Sequence, residues 1–124
     1  MLTNISQFAD DLVIWSKSKS LEDAVVQLNK ELLALSSWSK HVELEFSPKK
    51  CVVVPFTRQR VNLSKIAVFM EGTKLDCKES AKYLGVTLDK NLCWKYHISD
   101  IYKKAMFKVS VLKGLACRNK GLNQ

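Results

Sequence analysis

The sequence predicts an α+β fold. Two segments carry apolar residues at helical spacing, and between them lie short runs that alternate apolar with polar residues and end in turn residues. The order is hairpin, helix, several strands, helix, which separates the two kinds of element instead of alternating them. With 124 residues, of which 47% are apolar, the chain can bury a modest core.

The first element is a predicted hairpin. Ile5 and Phe8 precede Asp10-Asp11, and Leu12-Val13-Ile14-Trp15 follow. β-Branched and aromatic residues favour strand, and Asp tolerates turns. The first helix follows. Leu21, Val25, Leu28, Leu32 and Leu35 recur at steps of four and three, which places them on one stripe. Ser20 and Asp23 have the spacing of a capping box. The helix is expected to end between Ser37 and His41.

From Val42 to Phe56 the period changes to two. Val42, Leu44 and Phe46 alternate with Glu43 and Glu45, which predicts a half-buried strand. Ser47-Pro48-Lys49-Lys50 is a turn, and Cys51 to Val54 a second strand that Pro55 stops. Thr57 to Asn62 is a polar loop. Ile66 to Met70 is a third strand, with Glu71-Gly72-Thr73 as a hairpin turn into Lys74 to Asp76. Tyr83 to Leu88 reads as one further strand, where Gly85 suggests a bulge or a close backbone approach. Trp94 to about Cys117 is the second helix. Ile98, Ile101, Ala105, Val109 and Leu112 form its stripe, with Lys103, Lys104 and Lys108 mostly off it. The tail from Asn119 to Gln124 reads as frayed.

The formal charge is +8. Seven basic residues between Lys95 and Gln124 face the single acid Asp100, so +6 of the surplus sits at this end. Clustered charge of this kind fits a polyanion such as nucleic acid, or an anionic membrane surface. It equally fits a soluble basic protein with neither. Cys51, Cys77, Cys93 and Cys117 form no C-x-x-C pair, and His41 and His97 complete no zinc spacing. Each cysteine lies in or beside an apolar run, so all four are expected as small core residues. A reduced compartment, nucleus or cytoplasm rather than the secretory route, is the expectation. No apolar run approaches a membrane span.

Two adjacent carboxylates in a tight turn repel each other, and a divalent cation relieves that repulsion. Hard oxygen donors suit Mg²⁺, which keeps waters and takes one or two carboxylates plus substrate phosphates. Alone, Asp-Asp is also an ordinary polar turn. The surrounding words are more specific. Phe8-Ala9-Asp10-Asp11-Leu12-Val13-Ile14-Trp15 resembles the signature turn of reverse transcriptases of LINE-like, non-LTR retrotransposons. The helix ending in Trp38-Ser39, with Leu44-Glu45-Phe46-Ser47-Pro48-Lys49-Lys50-Cys51, is similar to the next block of that family. Ser47 and Cys51 stand where Asn and Thr are usual, and Lys50 matches the motif lysine. Lys82 to Asp89 resembles the primer-grip segment. Leu92-x-Trp94-x-x-His97-Ile98, followed by Lys104-Ala105, resembles the start of the thumb. The four blocks run in the family's order from Phe8 to about Leu115.

The resemblance implies a partial polymerase palm over residues 1–92, with an acidic-turn hairpin, an amphipathic helix, a small antiparallel sheet and a primer-grip hairpin. Residues 93–124 would begin a thumb. It implies RNA-directed DNA polymerisation, that is, nucleotidyl transfer to a primer 3′ end with two Mg²⁺ ions. Asp10 and Asp11 would be catalytic metal ligands in a turn opened by Phe8 and Ala9, and Lys50 would sit near the incoming deoxynucleoside triphosphate. Tyr83, Leu84 and Gly85 would place the primer, and Lys103, Lys104 and Lys108 would contact phosphates of the RNA template and DNA primer. No membrane partner is implied. Seven residues before Phe8 leave no room for the family's fingers and earlier palm aspartate. The expectation is therefore that this stretch does not polymerise alone and needs that segment from a longer protein. A basic nucleic-acid-binding module without chemistry, and a decayed transposon remnant with an open strand edge, are the alternatives.

Overall fold

A computed structural model of the chain describes residues 4–119. It contains two compact units, Met1–Pro55 with Gln59–Glu79, and Phe56–Arg58 with Ser80–Gln124. The expected frayed tail lies, beyond Asn119, outside the described residues.

The first unit opens with strand β1 (Ile5–Phe8) paired antiparallel to β2 (Asp11–Ile14), in a register from Ile5↔Ile14 to Phe8↔Asp11. That register leaves Ala9-Asp10 as a two-residue loop. Ala9 takes φ +49°, a left-handed conformation that ordinarily selects glycine. The predicted acidic hairpin is therefore present.

Helix α1 runs from Leu21 to His41. Its stripe is buried most deeply at Leu32 and Leu35. They meet Ile66, Val68, Met70 and Leu75 in the core, and Leu12, Ile14, Val25, Leu28, Phe46, Cys51 and Val53 pack around its rim. Asn29 seats the helix with both ends of its amide. Its Nδ2 donates to the Ala67 carbonyl and its Oδ1 accepts from the Phe69 N–H, both at 2.9 Å. Ser20 is the N-cap, but its side chain makes no capping hydrogen bond, so the capping box does not form.

The predicted strand at Val42 to Phe46 is absent. Glu43 turns left-handed at φ +57°, and the Leu44 N–H reaches back 2.9 Å to the Ser39 carbonyl. This 6→1 bond is that of a Schellman helix stop. It satisfies a terminal carbonyl and diverts the chain, so the apolar-polar alternation finds no partner strand. Val42 and Leu44 stay exposed, and Phe46 alone of the three reaches the core.

The expected turn at Ser47 to Lys50 is a 3₁₀ turn over Pro48–Lys50. The strand after it is shorter than Cys51 to Val54. β3 (Val52–Val53) pairs parallel with β6 (Asp76–Cys77), and the Lys78 N–H extends the ladder to the Val53 carbonyl at 2.9 Å. From Ile66 to Met70 the predicted strand shows as alternating burial, with Ile66, Val68 and Met70 inward. Only Phe69–Met70 (β4) pairs regularly, with β5 (Thr73–Lys74). The turn between them is Glu71-Gly72 at φ +50° and +78°, as the sequence predicts. The small antiparallel sheet is thus corrected to separate two-stranded ladders, one of them parallel.

In the second unit, the single strand predicted from Tyr83 to Leu88 is instead a hairpin. β7 (Ser80–Tyr83) pairs antiparallel with β8 (Val86–Asp89) around a Leu84-Gly85 turn, where both residues have positive φ, +48° and +80°. Helix α2 spans Lys95–Asn119. The predicted stripe is on the helix, but it is not buried: Ile98, Ile101, Val109 and Leu112 are all exposed. Cys51 and Cys77 are half-buried, and burial pushes both thiols up. Cys93 and Cys117 are exposed, which corrects their reading as core residues. No described helix is long and apolar enough to cross a membrane.

Candidate functional site

The acidic turn is an exposed tip. Phe8 is 64% exposed, and Ala9, Asp10 and Asp11 are exposed as well. The Gln7 side chain braces the loop by donating from Nε2 to the Ala9 carbonyl at 3.1 Å. Asp11 lies in β2 opposite Phe8, and Asp10 is in the loop itself. Behind them Leu12 and Ile14 anchor the hairpin on the core. Two carboxylates on an exposed tip fit what Mg²⁺ takes from protein when water and phosphate oxygens complete its shell. Among the described residues no group of three or more His, Cys, Asp or Glu is placed to hold a metal ion.

Lys50 is exposed at the end of its 3₁₀ turn, with its N–H bonded to the Ser47 carbonyl at 3.0 Å. The neighbouring Cys51 packs on the same core as Leu12 and Ile14, so one core supports both the acidic turn and the lysine turn.

Tyr83 closes β7 and is half-buried, whereas Leu84 and Gly85 form the open tip. A Cβ added at Gly85 would meet nothing within 4 Å. Glycine is thus used here for its left-handed backbone, not for tight packing inside the chain. Lys103, Lys104 and Lys108 are exposed on α2. Lys104 pairs with Asp100 at 2.8 Å, one helical turn away. The pair holds the Asp100 carboxyl below its usual range and Lys104 above its own, first through the hydrogen bond between them.

Two residues of this unit escaped the sequence reading as site residues. Asp89 is 4% exposed and gathers the loop before α2 around its carboxylate. Oδ1 accepts the N–H of Cys93 at 3.1 Å and of Trp94 at 3.2 Å. Oδ2 accepts the Asn91 N–H at 3.2 Å and the Cys93 thiol at 3.1 Å. The thiol first, and then the backbone donors, hold this carboxyl below the usual range against the opposite push of burial. The loop needs them, because Leu92 and Trp94 stand at φ +51° and +61°. The second residue is His97, whose Nδ1 accepts the Thr87 N–H at 3.3 Å. An Asp just ahead of a helix start was the legible signal for the first. A partner in β8 left no mark on the sequence for the second.

Comparison with known proteins gives relatives along nearly the whole chain. The sequence is 29% identical over 114 residues to the "Probable RNA-directed DNA polymerase from transposon BS" of Drosophila melanogaster, covering 92% of this chain and 13% of that protein. It is 31% identical over 117 residues to the "RNA-directed DNA polymerase from mobile element jockey" of the same fly, covering 94% and 13%. The jockey protein of Drosophila funebris matches at 28% over 117 residues. The chain therefore spans about an eighth of the length of these curated relatives. No family model matches it, and no solved structure matches it.

Proposed function

Given that this chain is a homologue of a segment of the RNA-directed DNA polymerases of non-LTR retrotransposons, we propose that it supplies the acidic turn of such a polymerase's palm and the beginning of its thumb. The observation that carries this reading is the β1–β2 hairpin, which holds Asp10 and Asp11 side by side on an exposed tip. In this reading Asp10 and Asp11 are metal ligands, and Phe8 and Ala9 shape the turn. Bound there, Mg²⁺ would neutralise the charge that builds up as the primer 3′ oxygen attacks the incoming triphosphate.

The chain's own groups do the rest. Lys50 places a cation near the triphosphate, where it can hand a proton to the leaving pyrophosphate. The Tyr83-Leu84-Gly85 tip positions the primer strand, with Gly85 letting the backbone come close. Lys103, Lys104 and Lys108 contact phosphates of the template–primer duplex, which gives salt-dependent, sequence-independent affinity. Lys104 does so in competition with Asp100. Residues 1–92 and 93–124 are the palm and thumb portions of this proposal, and RNA template, DNA primer and deoxynucleoside triphosphates its ligands.

Two-metal chemistry asks for more ligands than one adjacent pair, so the isolated chain is expected to extend no primer. Primer extension by the purified chain with Mg²⁺, abolished by Asp10→Ala, would overturn that expectation. The site itself is tested with Mn²⁺ as a paramagnetic probe. It should broaden the resonances of Asp10 and Asp11 first, and Asp10→Asn should weaken the effect. In a polymerase that contains this segment, Asp10→Asn should lower primer extension by at least roughly a hundredfold.

The exposed lysines of α2 favour a second reading, a basic module that binds nucleic acid without chemistry. It gains if Asp10→Asn changes nothing while reversing the charges of Lys103 and Lys104 abolishes RNA–DNA hybrid binding.

A further inference from the structure

In a two-stranded hairpin, alternate residues turn their backbone N–H away from the partner strand. Tyr83 and Val86 flank the two-residue turn and form the inward-bonded pair; Lys82 and Thr87 are the next pair, with outward-facing groups. The Thr87 N–H is therefore an edge donor. It is satisfied by Nδ1 of His97, 3.3 Å away in the first turn of α2. His97 and Asp100 are also the only residues of α2 with described side chains that are not exposed. Every apolar residue of α2 whose side chain is described is exposed, so this polar pair is the least exposed part of the helix. Two residues further along β8, Asp89 holds the loop that leads into the helix.

We propose that His97 is a positioning residue that sets α2 against the β7–β8 hairpin, and that it does so only while Nδ1 is bare. A neutral imidazole can accept at one nitrogen, and an imidazolium can accept at neither. Proton uptake at Nδ1 then breaks the bond to Thr87 and frees the helix from the strand edge, while the Asp89 turn keeps the connecting loop in place. Asp100, one turn along α2 from His97, pairs with Lys104, and Lys82 of β7 and His97 itself also act on its carboxyl. Asp89 on β8 is engaged by the loop before the helix. Resting on the polymerase reading above, the latch would fix the spacing between the Leu84-Gly85 tip and the lysines of α2, and so the grip on a primer.

Amide hydrogen exchange of the 124-residue chain, followed by NMR and corrected for the intrinsic effect of pH, tests the latch. Histidine side chains change charge between about pH 5 and pH 8, which sets the range. Towards the lower end the wild-type Thr87 amide should lose protection on the order of fivefold to tenfold. His97→Asn, whose Oδ1 can replace Nδ1 as acceptor without titrating, should stay protected throughout. His97→Phe should lack protection at every pH. The Cys93 amide, bonded to Asp89, should stay protected in all cases and reports that the unit is folded. Wild-type Thr87 protection that does not change with pH, or that survives in His97→Phe, overturns the proposal. Should His97→Phe lose Cys93 protection as well, the comparison of wild type with His97→Asn decides. No nucleic acid takes part, so failure here is distinct from failure to bind a template–primer duplex.

Discussion

The two units of this chain are held together by different physics. In the first, six apolar side chains are buried, with Leu35 at 2% exposure and Val68 at 1%. In the second, Asp89 is the one buried residue among those described. Apolar burial contributes in proportion to area and has no direction. The second unit relies instead on directed bonds: a β7–β8 ladder, a carboxylate that collects four donor groups, and a histidine on a strand edge. Two helices with similar stripes in sequence thus have opposite environments. Of its stripe, α1 buries Leu32 and Leu35, half-buries Val25 and Leu28 and exposes only Leu21 at its start, whereas α2 leaves Ile98, Ile101, Val109 and Leu112 in solvent.

That contrast is broken most forcefully at Leu35. Leu35→Ala removes a fully buried side chain and should destabilise the first unit by about 2–5 kcal/mol. Amide exchange should rise through α1 and the Ile66–Met70 segment, while Thr87 and Cys93 keep their protection. Equal losses in both units would show that the chain unfolds as one body and that the contrast has no energetic meaning.

Acid should act in the opposite sense, on the second unit. The Asp89 carboxyl is held below its usual range, so its contribution is fully present above the unfolded value, about pH 4. It is lost as pH falls through the lower folded value. The amides of Asn91, Cys93 and Trp94 should therefore open below about pH 4, before those of the Leu35 core. Asp89→Asn should remove this acid step. A step that persists in the variant would assign it to another carboxylate.

How far the sequence was legible follows the same division. The acidic hairpin, α1 and the Glu71-Gly72 turn were readable, because period and turn chemistry are local and agree with the packing. Val42, Leu44 and Phe46 misled because strand alternation states a preference, whereas pairing needs a partner; the left-handed Glu43 removed it. Leu84-Gly85 misled in the other direction. An apolar leucine disguised a turn inside what read as one strand, and hid β7, whose Ser80-Ala81-Lys82 has no alternation. Of the candidate site, residue types and local frames were legible at Asp10, Asp11 and Lys50. Asp89 left a local signal ahead of the helix that went unread, whereas His97 depends on a partner in another element, Thr87, and left none.

The smallest effect compares two turns. Gly85 and Ala9 both stand at positive φ, +80° and +49°, in two-residue hairpin loops. One position has the residue that suits it and the other does not. Gly85→Ala meets no clash at its Cβ, so its whole cost is backbone, about 1–2 kcal/mol against the second unit. Ala9→Gly runs the other way. It relieves a similar left-handed cost but loosens the unfolded chain, leaving a net gain of about 0.5–1 kcal/mol in the first unit. Denaturant midpoints of the two variants should therefore move in opposite directions. A lower midpoint for Ala9→Gly would mean that the alanine methyl packs usefully at the tip, and that the turn is not strained at all. A raised midpoint together with weaker Mn²⁺ broadening at Asp10 would mean that the strained alanine holds the carboxylates where a metal needs them.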